Sequence, residues 1–203
     1  RKWKNRVDGF TTNPTLMRKA GVTDYEKFCK EVLAEVSDKP VSFEVFADDF
    51  EEMERQARII SSWGNNIYVK IPVQNTKGIS SWELVRRLLF AGIKVNLTAV
   101  TDKFDIHISN TPMIISIFAG RIADTGETPQ KYFPCSHIDG KISLKDAYPS
   151  VEYLWASPRE VLNIYQADQA KVDIITCTPE LLEKYYKFKG MDLNELSLMT
   201  VKQ

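Results

Sequence analysis

Lys70 is the residue that first invites a chemical reading, because it stands alone in the apolar, β-branched run Asn65-Asn66-Ile67-Tyr68-Val69-Lys70-Ile71-Pro72-Val73. With period-2 alternation, Ile67, Val69 and Ile71 share one face of a strand while Tyr68, Lys70 and Pro72 share the other. A strand flanked by helices is buried on both faces, where an ammonium loses hydration and the free amine is favoured. A free amine attacks a carbonyl to form a Schiff base. The plain alternative is an edge strand blunted by a lysine and a proline. Glu44 and Thr98 are the candidate helpers, a carboxylate and a hydroxyl able to hold a water and shuttle protons during imine formation and hydrolysis. Arg121 after Gly120, and Arg159 beside Ser157, offer two guanidiniums for a phosphate. Ser157-Pro158-Arg159-Glu160 also has a structural reading as a capping box. Asn13 likewise reads as a helix cap, and Asn96 as a side chain satisfying backbone near a turn.

Composition narrows the field. Lys plus Arg and Asp plus Glu both total 27, so no net field favours nucleic acid or an anionic membrane. Cys29, Cys135 and Cys177 are widely spaced without a CxxC pair, and only His107 and His137 accompany them, which argues against structural zinc. The cysteines suggest a reducing cytoplasm, and both histidines read as structural or exposed. No apolar run is long enough for a membrane helix, and no signal peptide is visible.

Positioning these side chains requires elements that converge. Seven candidate strands read along the chain: 7–12, 41–46, 67–72, 93–100, 113–118, 151–156 and 172–177. Between them come amphipathic helices carrying Tyr25, Phe28, Cys29, Val32 and Val36; then Phe50, Met53, Ala57 and Ile60; then Trp82, Val85, Leu88 and Leu89. Asn13-Pro14, Ser157-Pro158 and Thr178-Pro179 read as helix starts. Leu181, Leu182, Tyr185 and Tyr186 mark a further helix, with one more in a helical tail from about Met191. Alternation of strand and helix predicts parallel strands and an α/β fold. The expectation is a single TIM-type (β/α)8 barrel domain over 1–203, at the small end of that fold. One strand is wanting; the simplest place for it is before Arg1, with 125–149 as the other place. In such a barrel the carboxyl ends of the strands meet at the site, where Asn13, Glu44, Lys70, Asn96, Thr98, Ser116, Ser157 and Arg159 would gather.

Five motifs in order carry a resemblance: Thr11-Thr12-Asn13-Pro14-Thr15-Leu16, Val69-Lys70-Ile71-Pro72, Asn96-Leu97-Thr98-Ala99-Val100, Ser116-Ile117-Phe118-Ala119-Gly120-Arg121-Ile122 and Trp155-Ala156-Ser157-Pro158-Arg159. Together they resemble the transaldolases, in the short transaldolase and fructose-6-phosphate aldolase branch. The resemblance implies a class I aldolase on an α/β barrel, without metal or other cofactor, with Lys70 as the Schiff-base nucleophile. It implies that Glu44 and Thr98 hold the catalytic water, and that Asn13, Asn96, Ser116 and Phe118 line the pocket. It further implies that Ser157, Arg159 and Arg121 bind the phosphate of a sugar-phosphate substrate, and that the chain forms a homo-oligomer. Glu44, Phe118 and Asn96 lean towards transaldolase proper rather than the aldolase subgroup. The family's first strand ends in an acid/base aspartate that nothing here matches; Asp8 lies where the next strand begins. A chain starting at Arg1 is therefore expected to form the imine but to be impaired in carbon–carbon cleavage.

Overall fold

The computed structural model describes residues 2–102, 111–133 and 149–202; Cys135, His107, His137 and most of the poorly patterned stretches 101–112 and 125–149 lie outside them. The strands are β1 Phe10–Thr11, β2 Val41–Glu44, β3 Ile67–Pro72, β4 Val95–Val100, β5 Met113–Ile117, β6 Val151–Trp155 and β7 Ile174–Ile175. All are parallel and stand in sequence order in one sheet. Parallel neighbours need crossovers, which here are helical. Helices α1 (Pro14–Lys19) and α2 (Tyr25–Glu35) join β1 to β2, α3 (Phe50–Ser61) joins β2 to β3, and α4 (Trp82–Phe90) joins β3 to β4. After β5 come α5 (Ala119–Asp124) and a 3-10 turn (Pro129–Tyr132), after β6 comes α6 (Leu162–Gln169), and α7 (Pro179–Phe188) and α8 (Leu193–Val201) close the order.

Side-chain oxygens of Asn13, Asp24, Asp49 and Thr178 accept N–H groups at the first turns of α1, α2, α3 and α7. From α3, Met53, Ala57 and Ile60 point inward at helical spacing and pack with Ile67, Val69 and Ile71 in the layer between sheet and helices. The opposite strand face holds a smaller apolar cluster of Ile114, Leu154 and Ala156 with Tyr68, Phe118 and Ile174. The predicted two-sided burial of β3 is therefore observed, and the edge-strand alternative falls: β3 pairs with β2 and β4.

Three predicted elements differ. The outermost strands shrink to two residues each because each has a single neighbour to define its ladder. Ser157-Pro158 does not start a helix. Ser157 has φ +59°, not the extended backbone of an N-cap, and the Asn163 side-chain oxygen instead takes the N–H groups of Arg159 at 2.7 Å and Glu160 at 3.1 Å. Helix α6 starts at Leu162.

The sheet curls until its edges meet: Thr11 Oγ1 and Thr176 Oγ1 are 2.8 Å apart. Trp3 stacks on Tyr186 of α7 on the same side, ring centroids 5.9 Å apart. The architecture is a partial α/β barrel of TIM type, with seven strands among the described residues. No helix among those residues is long and apolar enough to cross a membrane.

Candidate active site

Strand register brings the first pair together. Glu44, the last residue of β2, is directly opposite Lys70 on β3. Lys70 is only 8% exposed. Its Nζ donates to Glu44 Oε2 at 2.8 Å and to the Thr12 backbone carbonyl at 3.0 Å. The ammonium is thus held by a carboxylate and a carbonyl rather than left without partners in the wall.

Thr98 reaches the same region by regular register: the β3–β4 ladder runs unbroken to Thr98 opposite Pro72, two residues beyond Lys70, on the Lys70 side of the sheet. Beyond it β4 is irregular against β5. Leu97 pairs with Ile115 and Val100 with Ile117, so β4 spends one residue more than β5 over this interval. Ala99 takes up that residue at φ +61°. Thr98 Oγ1 is buried with no hydrogen-bond partner among the described residues, so it has both donor and acceptor capacity to offer a reactant.

Asn96 and Ser116 are brought together, but as a network inside the wall. Ser116 Oγ donates to Asn96 Oδ1 at 2.7 Å, and Asn96 Nδ2 donates to Ser42 Oγ at 3.1 Å. Asn96 is fully buried. Its backbone-satisfying reading therefore gives way to a chain of side chains crossing beneath Lys70 from β5 to β2. Ser42, which sequence reasoning passed over, completes it. Asn13 caps α1, its Oδ1 accepting from Thr15 N at 2.8 Å and Leu16 N at 3.2 Å. Phe118 follows β5 and packs against the cluster of Ile114, Leu154 and Ala156 at the inner face.

The two arginines converge on one carboxylate. Arg159 Nη2 donates to Asp124 Oδ2 at 2.6 Å, and Arg121 Nη1 lies 4.0 Å from the same oxygen. Beside them the first turn of α5 touches the loop after β6: a β-carbon on Gly120 would stand 1.8 Å from the Ser157 carbonyl oxygen and 3.0 Å from Arg159 Nε. Gly120 is required by that approach, and Ser157 holds its left-handed backbone there. Neither Asp124 nor the role of Gly120 was found from sequence; the i, i+3 spacing of Arg121 and Asp124 was the available signal. Asp8 is exposed and precedes β1, at the end of the strand away from Lys70. Among the described residues no group of three His, Cys, Asp or Glu side chains could hold a metal.

A partial parallel barrel with a buried, carboxylate-paired lysine on its inner face, and paired guanidiniums at its strand ends, is an α/β barrel built for small anionic carbonyl compounds in its general chemistry. The family profile described as Transaldolase/Fructose-6-phosphate aldolase matches residues 1–202. A probable transaldolase of Dehalococcoides mccartyi is 31% identical over 179 residues, covering 87% of this chain and 79% of that one. A probable transaldolase of Streptococcus equi subsp. zooepidemicus is 33% identical over 180 residues, covering 88% and 79%. Probable transaldolase 2 of Listeria monocytogenes is 32% identical over 189 residues, covering 89% and 79%. The chain belongs to the transaldolase/fructose-6-phosphate aldolase family.

Proposed function

We propose that this chain is a transaldolase, moving a dihydroxyacetone unit from a ketose phosphate to an aldose phosphate through an imine on Lys70. The observation that carries the reading is the buried Lys70–Glu44 contact at 2.8 Å within a family-matched barrel. Glu44 is placed to take the ammonium proton, leaving the amine lone pair to attack the ketone carbon. The resulting carbinolamine loses water to give the imine. Glu44 and the unpartnered hydroxyl of Thr98 hold that water on its way out and on its return at hydrolysis. Asn96 and Ser116 brace the wall under the imine, and Asn13 and Phe118 border the pocket. Arg121, Arg159 and Ser157 receive the phosphate, which competes with Asp124 for the guanidiniums.

A free aldolase that releases dihydroxyacetone is the second reading, since the family's description covers both activities. Glu44 and Phe118 favour transfer. A coupled assay without acceptor separates the two, dominant release pointing to the aldolase. The deciding experiment is borohydride trapping with fructose 6-phosphate, followed by intact mass and peptide mapping, with Lys70→Ala as control. A three-carbon adduct on Lys70 would establish both the nucleophile and cleavage. A trapped intact hexose phosphate would mean an imine without cleavage, and no adduct with any ketose phosphate would leave a barrel that binds sugar phosphates without turnover. The reading extends to a homo-oligomer in the cytoplasm; a monomeric mass by light scattering counts against the first part.

A further inference from the structure

Between β1 and β2 the parallel ladder climbs by alternate rungs: Phe10 N–H donates to the Pro40 carbonyl at 2.9 Å, and Thr12 N–H to the Ser42 carbonyl at 3.0 Å. A regular parallel ladder continues with the Glu44 N–H donating to the Thr12 carbonyl. Here it does not. The Glu44 N–H donates to the Tyr25 hydroxyl at 2.9 Å, and that hydroxyl donates to the Glu44 carbonyl at 2.8 Å. A side chain from α2 thus satisfies both backbone groups of Glu44 at the point where β1 has ended. The Thr12 carbonyl, released from the ladder, accepts Lys70 Nζ at 3.0 Å.

We propose that Tyr25 is a positioning residue of the Lys70 site: its hydroxyl takes the Glu44 rung of the ladder, leaving the Thr12 carbonyl and the Glu44 carboxylate as the two acceptors that aim Lys70 Nζ. This assignment rests on Lys70 as the imine-forming amine. Tyr25 is suited to the task because its placement is over-determined. It is the first residue of α2, capped by Asp24. Its ring meets Phe43, Phe46 and Trp63 edge-on, with centroids at 6.4, 4.6 and 6.1 Å. Without the hydroxyl, the Glu44 N–H has the Thr12 carbonyl as its natural acceptor, and Lys70 then loses one of its two anchors. Glu44 itself would shift with its backbone, and misplacement of a reacting group by a fraction of an ångström lowers rate without lowering ground-state affinity.

Tyr25→Phe tests this, because it deletes the hydroxyl and keeps the ring. Leu33→Val, a small deletion on the same buried face of α2, is the packing control, expected to trap adduct at the wild-type rate. At saturating fructose 6-phosphate, borohydride trapping on Lys70 is expected to slow about tenfold or more in Tyr25→Phe, with the half-saturating concentration changed less than about twofold. Wild-type trapping in Tyr25→Phe, an effect confined to half-saturation, or equal slowing in Leu33→Val would overturn the assignment. A second measurement needs no turnover: labelling of Lys70 by trinitrobenzenesulfonate without sugar, mapped by peptide mass. It is expected to quicken about tenfold in Tyr25→Phe and not in Leu33→Val, as a charged hydrogen bond is lost. If the wild type traps no adduct, the transaldolase reading fails and the labelling alone decides the role of Tyr25; unchanged labelling in Tyr25→Phe overturns it.

Discussion

Lys70 and Glu44 hold each other's charge where little water reaches, the two side chains being 9% and 20% exposed. Removing one member leaves the other poorly solvated, whereas removing both charges does not. Lys70→Met is accordingly expected to cost about 1–3 kcal/mol in urea denaturation, and Lys70→Met/Glu44→Gln to regain at least half of that loss. A single variant as stable as the wild type would mean that Glu44 finds solvent when Lys70 is gone. The nearby thiol titrates unusually. Burial pushes Cys29 up to about 12 and Cys177 up to about 11, and burial, with Cys29 alongside, also raises Tyr25. These groups stay protonated in the fold while the unfolded chain ionises its thiols near pH 9 and tyrosines near 10. Their contribution is complete below about pH 9 and is lost as pH climbs through the folded values. The urea midpoint should therefore hold steady from pH 7 to about 8.5 and fall between 9 and 11, with a shallower fall in Cys29→Ala. The burial of Lys70 was legible in the sequence because a charged residue in an apolar strand is conspicuous. Tyr25 was not, since its spacing among Phe28, Cys29 and Val32 reads only as a helix face.

At the scale of elements, the site depends on a helix start and a loop that touch. The first turn of α5 contributes Gly120 and Arg121, the loop after β6 contributes Ser157 and Arg159, and Asp124 at the end of α5 ties Arg159 across 35 positions of sequence. Gly120→Ala drives a β-carbon into the Ser157 carbonyl, a backbone atom with little room to yield. The expected cost is about 1–3 kcal/mol of stability. A rise in KM for a phosphorylated donor of about tenfold or more should accompany it, as displaced guanidiniums lose charge-assisted hydrogen bonds. Trapping of unphosphorylated dihydroxyacetone on Lys70 should persist. Loss of both would show that the mutation unmakes the barrel rather than the arginine pair alone. The sequence motif around Ser157 misled about α6 because the capping-box pattern was present while the N–H groups of Arg159 and Glu160 go to Asn163, inside the helix, and α6 starts without a side-chain cap. The bulge at Ala99 was equally hidden: its register emerges only when β4 pairs with β5.

For the whole molecule, the parallel order was readable because central strands are near-continuous apolar runs and several helices start at a polar residue followed by proline. How the sheet curls was not, because the contacts that set it join Thr11 to Thr176 and Trp3 to Tyr186, pairs with no local signature. This seam is the weak line of the fold. Strands β1 and β7 are two residues long and partly exposed, while β3, β4 and β5 are almost wholly buried. Opening free energies scale with such burial, so amides of β4 and β5 should exchange with solvent only on global unfolding, and those of β1 and β7 by local opening. Trp3→Ala removes the aromatic stack that holds the segment before β1 against α7, and it should speed exchange in β1 and β7 about fivefold or more while leaving β4 within about twofold. Equal acceleration in β4 would mean that the barrel opens as one unit. Thr12, whose carbonyl holds Lys70, directly follows β1. A seam that opens independently would thus reach the amine itself, and Trp3→Ala should then also quicken the labelling of Lys70 from the far side of the sheet.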